Sequence, residues 1–232
     1  VIDFDKDRSD RSTYKLLGGS IGFYGSTLNT RQYATKGYLE KLIAQVFTGR
    51  ERFEPGNPQE GYSPSPQERQ SWLQISYMKE AYHTMGPKFT LGWMAEALYS
   101  SKNFSENYTA TMMQAGEFAP TPHSKLMYNE AFRANQYVAA GIKPIYVLND
   151  MFQFRTEFYG FTPIFPIKKN ALNKAYYGKA FSRFEYMGEV SVICHLPFGA
   201  ISAYVNHYSS PRREWNVGMT IGWQLFNYRF VE

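Results

Sequence analysis

A chain of 232 residues can form one large all-β domain or two small ones, and its single cysteine, Cys194, excludes an internal disulfide and a thiolate metal centre. Aromatic residues make up 18% of it, yet no apolar run approaches the roughly 18 residues of a membrane-spanning helix, so any membrane crossing has to be made by strands. The formal charge of +5 is scattered along the chain without a recognised nucleic-acid module, which argues against nucleic acid as a partner.

The chain begins at Val1 with neither an initiator methionine nor a signal sequence, and reads as a processed or partial polypeptide. Val1 to Ser12 is charged and poor in aromatics, as a solvated segment would be. Tyr14 to Leu28 alternates Leu17, Gly19, Ile21 and Phe23 with Leu16, Gly18, Ser20 and Gly22, a glycine-rich strand. Gly18-Gly19-Ser20-Ile21-Gly22 matches the string around a hydrolase nucleophile, but that chemistry needs a strand-to-helix elbow. Here the alternation runs on through Phe23 and no Asp-Gly follows, so Ser20 is read as a strand residue.

Tyr38 to Thr48 is the next strand. Gly49 to Gln70, with Pro55, Pro58, Pro64 and Pro66, is a loop too long for a compact soluble domain but ordinary on the outer side of a membrane barrel. Trp72 to His83 turns through Met85-Gly86-Pro87 into Phe89 to Tyr99, whose odd positions, Trp93 among them, are apolar. Tyr108 to Ala115 reads as a weaker strand, and Gly116 to Asn135 as a second long loop. Tyr137 to Leu148 turns at Asn149-Asp150 into Phe152 to Phe161, where phenylalanines oppose Gln153, Arg155 and Glu157. Phe184 to Leu196 sets Glu185 and Glu189 opposite Tyr186, Val190 and Val192. It turns at Pro197-Phe198-Gly199 into Ile201 to Tyr208.

The last strand, Trp215 to Leu225, has large apolar residues at odd positions and small or polar ones at even positions. Trp215 and Trp223 bracket Val217, Met219 and Ile221, the order expected of aromatic girdles around an apolar band. The whole is an antiparallel meander of about ten strands without helical periodicity, a single all-β domain over 1–232 that reads as a transmembrane β-barrel. Pro144 and Pro163 fall inside strands and call for a bulge or a strand end. His83, His195 and His207 sit at strand ends, and Asn206 and His207, being adjacent, face opposite sides of a strand. No catalytic, metal or cofactor site is expected.

Beyond pattern, Glu117-Phe118-Ala119-Pro120-Thr121-Pro122-His123-Ser124-Lys125, Tyr128 to Tyr137, Ala175 to Lys179, Glu185 to Glu189, Ile201 to Tyr208 and Leu225 to Phe230 closely resemble the C-terminal barrel of the patatin-like phospholipases of Bacteroidetes. The resemblance is firm over the second half of the chain and loose over the first. It implies an outer-membrane barrel of a Gram-negative bacterium, similar to those of the assembly factors BamA and TamA, of which this chain would be the C-terminal part of sixteen strands. The domain would anchor, or translocate, a lipid acyl hydrolase whose catalytic domain lies elsewhere in the parent protein. The alternatives are a BamA/TamA-type assembly or translocation barrel without enzymatic activity, and a soluble β-barrel carrier.

The same resemblance places Phe132-Arg133-Ala134-Asn135 at the family's Val-Arg-Gly-Phe type loop, folded into the lumen ahead of the last five strands. Ala134 departs from the motif's glycine. A shielded guanidinium needs a carboxylate, and Arg133 is expected to pair with Glu157, Glu185 or Glu189. Asn216, Gly218, Ile221 and Trp223 resemble the signal by which barrels are recognised for insertion, which implies the barrel assembly machinery as a partner. Other outer-membrane proteins are further candidate partners. Trp93, Trp215 and Trp223 are expected to face lipid.

Overall fold

The computed structural model describes residues 11–56, 69–197, 199–210 and 215–223, the last residue by its backbone. Nine long strands form one antiparallel sheet in the order β1 (Arg11–Ser26), β2 (Gly37–Glu54), β3 (Arg69–Thr84), β4 (Phe89–Ser100), β7 (Gln136–Val147), β8 (Phe152–Pro163), β11 (Glu185–Leu196), β12 (Gly199–Tyr208), β13 (Trp215–Trp223). Each strand pairs with its neighbour in sequence, and among the described residues β1 and β13 are the sheet's two edges. Between β4 and β7 lie the helix α1 (Tyr108–Gln114) and two short bridged segments, β5 (Gly116–Glu117) and β6 (Arg133–Ala134). Between β8 and β11 lies a small hairpin of β9 (Ile167–Lys169) and β10 (Ala175–Tyr177).

The departures from the expected elements have local causes. Tyr108 to Ala115 forms a helix instead of a strand, so the long strands number nine where ten were expected. Asn107 is its N-cap, accepting from the Ala110 amide at 2.7 Å, and Thr111 turns its hydroxyl back to the Asn107 carbonyl at 3.0 Å. The first long loop is shorter than expected because β2 continues to Glu54 and β3 starts at Arg69, with Arg50 opposite Arg69. Residues 57–68 lie outside the described residues, as do residues 1–10. Pro163 ends β8, whereas Pro144 makes no bulge. Pairing with β8 lapses at Lys143 and Pro144 and resumes at Ile145 opposite Arg155 in unchanged register. Ser20 lies in the unbroken β1–β2 ladder, opposite Gln45, with no elbow.

Connections alternate in length. The ends of β3, β7 and β11 turn tightly into β4, β8 and β12, and residues 27–36 join β1 to β2 at that same end, while the connections after β2, β4, β8 and β12 leave from the other end of the sheet. Strand alternation then sorts the side chains onto two faces. One face carries exposed Leu42, Val46, Ile142, Phe158, Val192 and Val217. From β4 to β12 the other is buried, because the β4–β7 connection packs onto it, whereas on β1 both faces are exposed. Phe118 and Phe132 from that connection enter a cluster with Met94, Tyr137, Phe161, Met187 and Tyr208 of the wall. The sheet wraps around this insert and around residues 27–36 between β1 and β2, whose Tyr33 reaches Ser202 on β12.

Glycine lets the wall approach its own large residues. A Cβ on Gly141 would lie 2.1 Å from the Tyr159 ring, and one on Gly218 would lie 2.5 Å from the Tyr204 hydroxyl. Both positions face inward, where a ring from the neighbouring strand fills the missing side chain's place.

Candidate functional site

The inner face is where the polar side chains converge, on two buried knots and one loop lock. In the first knot Arg155 grips Glu157 through Nε at 3.1 Å and Nη2 at 2.9 Å, and donates Nη1 to the Ala34 carbonyl at 2.9 Å. Tyr159 donates to the other oxygen of Glu157 at 2.9 Å. Lys143 pairs with Glu80 at 2.9 Å, and Tyr82 hydrogen-bonds the same carboxylate. Arg155 and Lys143 have 3% and 4% of their side chains exposed, so these charges rely on each other and not on water.

The second knot is centred on His123, which is fully buried. Thr121 and Ser124 bond reciprocally, each hydroxyl accepting the other's amide N–H at 3.0 Å, in the manner of a capping box. That turn sets His123 Nδ1 at 2.7 Å from Glu189, while the Thr121 hydroxyl donates to the second carboxylate oxygen at 3.0 Å. His123 Nε2 lies 3.1 Å from the Ser202 hydroxyl, and the imidazole stacks on Tyr204 with centroids 3.6 Å apart.

Ser202, His123 and Glu189 thus stand in the order of a nucleophile, base and acid relay. Ser202 is nonetheless 1% exposed, accepts from the Tyr33 hydroxyl at 2.8 Å and bonds Thr220 at 2.6 Å. Its oxygen is saturated and closed to any substrate, so the arrangement pins the insert to the wall. Tyr33 is held there in a left-handed backbone conformation (φ 56°), with its carbonyl taken by Gln153 at 3.1 Å.

Arg133 is part of neither knot. Its expected pairing with Glu157, Glu185 or Glu189 is not made. It binds Glu117 at 2.6 Å, across the β5–β6 bridge, and donates Nη1 to the carbonyls of Met112, Met113 and Ala115. The cause is α1, whose C-terminal carbonyls need donors and whose dipole favours a cation there. The three glutamates do face inward, but Glu157 takes Arg155, Glu185 takes Arg183 at 2.9 Å, and Glu189 takes His123. In the sequence His123 stands out only through the resembling string, and the Thr121 and Ser124 around it are the local signal that could have marked a tight turn. Nothing local announced that Glu189 would lie beneath it.

Trp93 and Trp215 lie on the outer face. Trp93 donates its indole N–H to His83 at 3.3 Å, and Trp215 is 72% exposed. In the would-be insertion signal Asn216 donates to Asn206 at 3.2 Å, Gly218 sits under Tyr204, and Ile221 is exposed on the outer face. Trp223 closes β13 opposite Gly199, and its side chain lies outside the described residues.

Between the two inserts and the inner faces of β2 to β4 a chamber of about 710 Å³ stays open, lined by Lys41, Glu80, Glu96 and Lys125 among others. Among the described residues no group of three His, Cys, Asp or Glu side chains is placed to hold a metal ion, and no helix is long and apolar enough to cross a membrane. Compared with protein-family models, with curated proteins and with solved structures, the chain matches none.

Proposed function

We propose that this sheet is part of the wall of a transmembrane β-barrel in the outer membrane of a Gram-negative bacterium, and that it anchors a lipid-acting enzyme of the patatin-like type. The observation that carries the membrane reading is an inversion of polarity. Arg155, Glu157, Lys143 and Glu189 are buried on the inner face, while the outer face exposes Leu17, Ile21, Val46, Phe158, Val217 and Met219. A soluble protein would bury the second set and solvate the first, and an exposed apolar surface of this extent is what a lipid-facing wall requires.

The patatin-like partner activity rests on the resemblance of residues 117–137 and of the last strands. The packed interior supports anchoring over free conduction, since Phe118, Phe132 and His123 occupy the space a wide pore would need. The test is to reconstitute the intact protein in phosphatidylcholine vesicles and digest it with protease. The nine strands of the large sheet should be protected, and the band should shift in electrophoresis on heating. Full digestion of the strands, or extraction from cells without detergent, would overturn the reading. Loss of lipid hydrolase activity from the membrane fraction on deleting 1–232 tests the anchoring role.

A further inference from the structure

At the end of the sheet where the long connections leave, three cations lie side by side on the outer face. The register sets Lys15 opposite Arg50, and Arg50 opposite Arg69, across β1, β2 and β3. Strand spacing puts this row within about 10 Å. Arg52 and Arg11 share that face further along, opposite Thr13 and Glu54, and the one carboxylate among them, Glu54, pairs with Arg52 at 2.9 Å. Among the described residues Lys15 and Arg50 have no acidic partner. Like charges directly opposite one another destabilise a strand pair, so folding alone does not account for the row.

The same face turns apolar a step further down the strands, at Leu17, Val46 and Leu73, all exposed. A groove runs between the two zones, lined by Lys15, Leu17, Thr48, Arg50 and Arg69. We infer that this patch binds the phosphorylated headgroup of a membrane lipid in the leaflet on the long-loop side, with phosphate between Lys15, Arg50 and Arg69 and the acyl chains along Leu17 and Val46. A phosphate bridging adjacent guanidinium and ammonium groups turns the repulsion into charge-assisted hydrogen bonds. The apolar strip favours a lipid over a soluble phosphate. The inference rests on the outer face being the lipid face.

The test uses the intact protein in phosphatidylcholine nanodiscs, with a diphosphorylated lipid A titrated in and bound lipid counted by native mass spectrometry. Wild type should retain the phosphorylated lipid selectively. A Lys15→Gln, Arg50→Gln, Arg69→Gln variant should bind it on the order of a hundredfold more weakly, about fivefold per cation, and Arg50→Lys should keep most of the affinity. Wild-type protein that inserts but shows no preference for lipid A over phosphatidylcholine would overturn this inference and leave the membrane reading standing. So would displacement of the lipid by millimolar inorganic phosphate, which would mark a soluble anion site. Failure to insert at all would overturn both.

Discussion

Replacing Glu189 should release the insert from the wall without dissolving the sheet. Its carboxylate accepts from His123 Nδ1 at 2.7 Å, Thr121 Oγ1 at 3.0 Å and Asn206 Nδ2 at 3.5 Å, and the residue is 3% exposed. Two of those donors belong to the β4–β7 insert and the third to β12, so one side chain ties the loop to two strands. Glu189→Gln keeps the volume but removes the charge and turns one acceptor into a donor facing donors. Hydrogen bonds to a buried charge contribute roughly 1.5–3 kcal/mol, and breaking a buried pair outright costs roughly 3–5 kcal/mol, the range for Glu189→Ala. In vesicles, amide exchange of residues 118–134 should therefore speed up about 10- to 150-fold in Glu189→Gln, while exchange in β7 and β8 stays as in wild type. A double-mutant cycle with His123→Ala should show coupling above ~1 kcal/mol. Unchanged protection of 118–134, or strictly additive effects, would mean that Phe118 and Phe132 hold the insert by burial alone and that the knot is incidental.

Arg133→Met should unwind the last turn of α1 and cost ~1–2 kcal/mol, with exchange rising at residues 112–117; unchanged exchange there would mean that the helix end does not depend on the guanidinium. Brominated lipid should quench Trp93 and Trp215, whereas quenching by aqueous acrylamide alone would invert the assigned faces. Joint replacement of Gly218 by Val and Trp223 by Ala should lower outer-membrane levels without affecting synthesis. Gly218→Val alone should also destabilise the β12–β13 pair by ~1–3 kcal/mol through Tyr204, and unchanged levels in the joint variant would dismiss the insertion signal.

Lys102, just past β4, has its amine pushed down to about 8, chiefly by burial, with Glu51 pulling the other way. The rings of Trp72 and Tyr14 under the ammonium, at 4.9 and 5.5 Å, also resist the shift. A lowered lysine pKa means the unfolded chain holds the extra proton above pH 8. Relative to Lys102→Met, stability should then rise between about pH 8 and 10.5, as unfolding of both proteins in detergent at stepped pH would show.

Alternation alone determined the wall. Period-two spacing sorted Glu157, Glu185 and Glu189 to one face and Phe154, Val190 and Trp215 to the other, because a strand's side chains have nowhere else to go once its register is set. The segments that misled are those whose conformation depends on what they meet. Tyr108–Gln114 lacks a strong period of either kind, and it is helical because Asn107 caps one end and Arg133, distant in sequence, caps the other. That helix in turn redirected Arg133 away from the wall. Lys15, Arg50 and Arg69 are unremarkable and scattered along the chain, and only the pairing of three strands makes them one patch. His123 over Glu189, too, is a contact across 66 residues that no local rule contains, since it needed the insert to fold back into the curl of the sheet before either group had a partner.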